Sequence, residues 1–142
     1  ATGGAYRHQI VEQKIKAPPS SVRTRLKLKT GDNALYMEPK HLADARPFAY
    51  EVRWVNTTAV PDILDAPLET LSANEWLVKT VPFSIGDVAF TAVNADKKTA
   101  NALEAQEGAA VFVVDRTTWL GSEFITTMKL YYREGYQLYS KL

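Results

Sequence analysis

The sequence predicts an α+β domain: a mainly antiparallel six-stranded sheet with flanking helices. Stretches of period-two alternation recur along the chain, several joined by only a few polar or Gly-containing residues, as neighbouring antiparallel strands require. Three segments with helical signals interrupt them, one opening on a capping-box pattern. The length of 142 residues, with 46% hydrophobic and 23% charged, is enough for one buried core and no more than one domain.

The elements follow in order. "YRHQIVEQKIKA" (6–17) alternates and reads as a strand. "PPSSVRTRLKL" (18–28) reads as a short helix, because the prolines punctuate, Ser20 or Ser21 can cap, and Val22, Leu26 and Leu28 make an apolar side. "KTGDN" then turns the chain. "ALYMEPKHL" (34–42) and "RPFAYEVRWV" (46–55) form a hairpin across "ADA", with Pro39 pointing to an edge position or a bulge. "NTTAVPDILDAPLET" is an irregular connection. In "SANEWLVKTV" (72–81), Ser72 followed three residues later by Glu75 marks a helix start. "FSIGDVAFTAVNA" (83–95) reads as a strand and "ADKKTANALEA" (95–105) as an amphipathic helix ended by "EGAA". Two strands around "LGSE" and an extended tail complete the chain.

Composition narrows the function. A net charge of +1 is too small for a phosphate-tracking surface, so this chain by itself is not expected to grip DNA. Without cysteine there are no disulfides or thiolate sites, and two histidines, His8 and His41, do not suggest a metal. No apolar run approaches the roughly 18–20 residues of a membrane span, so a cytoplasmic location and no membrane partner are expected. The motifs GxSxG, GxxxxGK[ST] and GxGxxG are absent, which points away from common hydrolases and from nucleotide cofactors. No cofactor is expected.

What remains is polar residues on strand faces. In "YEVRWVN", Glu51 and Arg53 share one face while Tyr50, Val52 and Trp54 share the other. The charged pair is either a solvated ion pair or part of a pocket wall. His41 precedes them on the neighbouring strand; Arg116 shares a face with Val114 and Thr118, and Thr126 with Tyr132. Ser72, at a helix start, is a cap that can also present backbone donors to an anion. Together these side chains can bind a small carboxylate. Each also has a plain structural reading, and the pattern alone leaves both open.

The order of residues adds a resemblance. "KHLADARPFAYEVRWVN", Pro61, "SANEWLVKTVPFS" and "VFVVDRTTWLGSEFITTMKLYY" resemble the UTRA effector-sensing domain of GntR-type repressors, and within that group the histidine-utilisation repressors. The residues that carry it are His41, Pro47, Glu51, Arg53, Trp54, Val55, Asn56, then Asn74, Glu75, Trp76, Leu77, then Pro82, Phe83, Ser84, then Arg116, Thr118, Trp119. The resemblance implies a chorismate-lyase-like fold, a homodimer and no catalysis. It also implies operator DNA as a partner only through an N-terminal winged helix-turn-helix domain absent from this chain. Residues 1–5 then read as a tag or linker remnant and 6–142 as a single effector-binding domain. In sugar-sensing relatives the ligand is held at positions corresponding to Pro39, His41, Glu51, the Ser72 helix start, Thr126 and Tyr132. Pro39 and His41 stand where those relatives carry basic residues, which argues for a smaller, flatter effector than a phosphosugar. In the histidine-utilisation branch that effector is urocanate. The resemblance places its carboxylate on Arg53 or Arg116 and its imidazole near Glu51 or His41. Asp87 is followed by Val88 where the family often carries an acid–His pair, so related small acids stay open. The alternative is a lyase on the same fold that releases an aromatic acid.

Overall fold

A computed structural model describes residues 5–82 and 84–141. Six strands run in the order β1 (Tyr6–Lys16), β2 (Ala34–Ala43), β3 (Arg46–Val55), β4 (Ile85–Asn94), β5 (Ala110–Leu120) and β6 (Glu123–Tyr132). Helices α1 (Ser20–Arg25), α2 (Ala73–Thr80) and α3 (Lys97–Leu103) connect them. All six strands form one antiparallel sheet in the spatial order β1-β2-β3-β6-β5-β4. The expected α+β class and six-stranded antiparallel sheet are therefore present. Phe83 in the expected strand 83–95, and residues 1–4 of the expected remnant, lie outside the described residues.

Pro39 is not at an edge, because β2 lies between β1 and β3. The irregularity falls on its neighbour: the register slips between Ile10 and Glu12, opposite Pro39 and Glu38, leaving Val11 as the extra residue. A proline has no N–H for the ladder, and a bulge on the facing strand is one way to accommodate that. The connection expected to be irregular contains a 3₁₀ turn over Pro61–Asp65, with Pro61 at its start and buried Ile63 as its anchor.

Register decides the two faces of the sheet. Arg53 pairs with Met37 on one side and Met128 on the other, and Met128 pairs with Arg116, so these four side chains share a face. The same face carries Leu35 and Val55, which pack with Ile63, Leu77 and Val81 from the 3₁₀ turn and α2. The opposite face carries Tyr50, Val111 and Val113 against Ala100 and Leu103 of α3, and Tyr36 and Trp54 against Leu26 beyond α1. Each fully buried aliphatic side chain contributes roughly 1.5–3 kcal/mol. On that opposite face the buried carboxylate of Glu38 accepts from Tyr36, from Tyr50 at 2.5 Å and from Lys98 Nζ at 2.8 Å, tying α3 to the sheet. Every hydrogen bond to Glu38 there comes from the packing itself.

Candidate functional site

Because β3 is flanked by β2 and β6, alternation puts the charged side of "YEVRWVN" under α2 rather than into solvent. Glu51 is 4% exposed and Arg53 1%. Arg53 Nε donates to Glu51 Oε2 at 2.5 Å, and Arg53 Nη1 donates to Thr126 Oγ1 at 3.2 Å. Thr126 in turn donates to the Trp54 carbonyl at 2.8 Å. On the other side, His41 Nε2 meets Glu51 Oε1 at 2.8 Å, and His41 Nδ1 meets the Tyr6 hydroxyl at 2.6 Å. A continuous polar chain thus crosses the sheet from Tyr6 on β1 to Thr126 on β6.

Electrostatics fixes the charge states. Burial favours a neutral Glu51, but the charge of Arg53 and the hydrogen bond and charge of His41 outweigh it, holding the carboxyl at about 2. Both Glu51 oxygens are engaged by protein partners, so its role is to hold His41 and Arg53 in place. One nitrogen of Arg53 is left over. Among the described residues, buried Nη2 of Arg53 has no hydrogen-bond partner.

Arg116 adds a second cation. It projects from β5 on the same face and donates from Nη2 to Asn74 Oδ1 at 2.6 Å. Among the described residues it forms no carboxylate ion pair. Its proton affinity is lowered by partial burial first and then by the charge of Arg53. Two guanidiniums whose charges oppose one another thus line one cavity together with two carboxylates, Glu51, which is held by His41 and Arg53, and Glu75, which accepts from Ser72.

These groups open on a cavity of about 390 Å³ between the sheet and the start of α2. Six of the seven residues singled out from the sequence line it: His41, Glu51, Arg53, Ser72, Arg116 and Tyr132. Thr126 lines an adjoining cavity of about 300 Å³, which shares Arg53, Asn74 and Arg116 with the first. Ser72 caps α2, its Oγ accepting from the Glu75 N–H at 3.1 Å and donating to Glu75 Oε1 at 3.2 Å. The capping pattern therefore forms locally, with the hydroxyl rather than the Ser72 N–H meeting the carboxylate.

Sequence reasoning did not select eight lining residues, among them Tyr6, Phe48, Asn74 and Glu75. Tyr6 stands at the start of β1, and only the pairing of β1 with β2 brings it to His41. Its hydroxyl is pushed up to about 12 by burial and then by Glu51 and Glu75. Phe48 stacks on Tyr136 at 5.3 Å between ring centres and leans toward His41. Asn74 belongs to the motif string, but its contact with Arg116 spans 42 residues and leaves no local signal.

The chain matches a family model described as the UTRA domain over residues 1–136. It is similar to the histidine utilization repressor of Pseudomonas putida, 22% identical over 130 residues, which cover 92% of this chain and 52% of that protein. The repressor of the same name from Pseudomonas aeruginosa is also 22% identical, over 132 residues, again 92% of this chain and 52% of that protein. The chain thus spans about half the length of these curated relatives. Among solved structures, it superposes on the C-terminal domain of the histidine utilization repressor from Pseudomonas syringae pv. tomato with a TM-score of 0.90 at 21% identity, covering 97% of this chain and 99% of that one. The effector domain of PhnF from Mycobacterium smegmatis superposes with a TM-score of 0.82 at 15% identity, covering 92% and 82%.

Proposed function

This chain belongs to the UTRA domain family, and from that premise we propose that it senses urocanate, or a related small carboxylate, to control operator binding by a histidine-utilisation repressor. One observation carries the ligand chemistry. Arg53, whose buried Nη2 has no partner among the described residues, and Arg116, which forms no carboxylate ion pair among them, line one cavity, so an anion reaching both would satisfy a buried donor and ease the repulsion of two like charges. A planar carboxylate matches a guanidinium fork, and the aromatic and imidazole groups of Tyr6, His41 and Tyr132 line the space for a flat unsaturated body. Operator binding would reside in a separate winged helix-turn-helix domain. The matches are to regulator domains, which argues against a lyase on this fold.

A homodimer is the second part of the proposal. Strand β4 is an outer strand of ten residues, all exposed, with neither Lys nor Pro to discourage pairing. It presents Ile85 at 60% and Phe90 at 61% exposure. An effector that favours one arrangement of two subunits would shift their DNA-binding domains.

Calorimetric titration with urocanate tests the reading. Arg116→Met is the informative variant, because among the described residues Arg116 has no carboxylate partner that its removal would strand. The variant is expected to keep the fold and to lose affinity at least about tenfold, the worth of one charged hydrogen bond.

A further inference from the structure

We propose that Asn74 is a positioning residue for the anion site, and that its hydrogen bond with Arg116 ties the state of that site to the first turn of α2; this rests on the carboxylate reading above. Arg116 comes from β5 and Asn74 from the second position of α2, 42 residues apart, yet Nη2 and Oδ1 are 2.6 Å apart. Both residues line both cavities on this face, so the pair forms a bar between the two spaces. Asn74 is exposed and its oxygen is neutral. It therefore orients the guanidinium without neutralising it, which leaves the charge available to an anion.

The chemistry then sets a competition. A carboxylate binding Arg116 offers a charged acceptor in place of a neutral amide oxygen, and charged acceptors form the stronger bond. Occupancy draws Arg116 toward Arg53 and releases Asn74. The released residue lies two positions beyond the Ser72 cap, where α2 begins, and Leu77 and Val81 of the same segment pack on the sheet core. Effector binding is thereby felt by an element that is not part of the sheet. A side chain that supplied its own negative charge at this position would occupy Arg116 permanently.

Hydrogen exchange of the α2 amides, followed in the wild type, Asn74→Ala, Arg116→Met and the double variant, tests the tether without any ligand. The single variants are expected to exchange faster by a similar factor, on the order of fivefold, and the double variant to add nothing further. Additive effects, or α2 exchange that does not respond to Arg116→Met, would overturn the inference. Urocanate supplies the second arm: it should speed α2 exchange in the wild type and not in Asn74→Ala. Asn74→Asp should lose urocanate affinity at least about tenfold with no fall in thermal midpoint. Unchanged affinity in Asn74→Asp overturns the positioning role. If urocanate fails to bind the wild type, the ligand reading falls, and the ligand-free exchange pattern still decides this inference by itself.

Discussion

Glu51 and Arg53 show how far one dipeptide repeat can be read. Alternation places both on one face, and the sequence leaves open whether that face is wet. The answer lies in neighbours from distant segments: β2 and β6 flank β3, and α2 roofs it. The consequence is a buried ion pair with a titration signature. Glu51 titrates near 4.5 when unfolded and is held at about 2 in the fold, so the folded state binds fewer protons between those values. Its stabilising effect is complete above about pH 5 and is lost as the pH falls through the folded value. Denaturant titrations at pH 7, 4 and 3 should show stability falling with acid. Glu51→Gln should flatten that dependence and cost roughly 3 kcal/mol at pH 7, because Arg53 is left buried without its partner. Equal acid sensitivity in both proteins would contradict the pairing.

The elements were legible to different degrees, for physical reasons. The β2–β3 and β5–β6 hairpins are written in alternation with short polar or Gly-containing links, both local signals. The α2 start was equally local, since a cap needs only Ser72 and Glu75 three residues apart. Ser72→Ala should lower stability by about 1 kcal/mol, read as a shifted denaturation midpoint with an unchanged slope. No change would mean that packing of Leu77 and Val81 alone holds α2. Of the two readings Pro39 allows, an edge position or a bulge, the structure has the bulge, and it sits at Val11 on the facing strand, where no local signal marks it. The 3₁₀ turn at Pro61 is too short to leave a periodic pattern. Tyr6 and Asn74 escaped selection because each joins the site through a contact between segments at least 35 residues apart.

At the scale of the molecule, two faces do different work. One packs α1 and α3 and satisfies Glu38 internally, while the other gathers a chain from Tyr6 to Thr126 and two guanidiniums around a cavity. The strongly exposed edge β4 gives the proposed dimer its expectation: Phe90→Lys should convert a dimer into a monomer in sedimentation without loss of fold. A dimer unaffected by that change would place the interface elsewhere. The central claim is that the cavity lined by Arg53 and Arg116 takes a carboxylate. Its most direct test is calorimetric titration of the folded domain with urocanate beside urocanate methyl ester, which keeps the ring and chain and loses the charge. Saturable heat with the acid and none with the ester is predicted. Equal binding of both, or no binding of the acid up to about 1 mM, would contradict it.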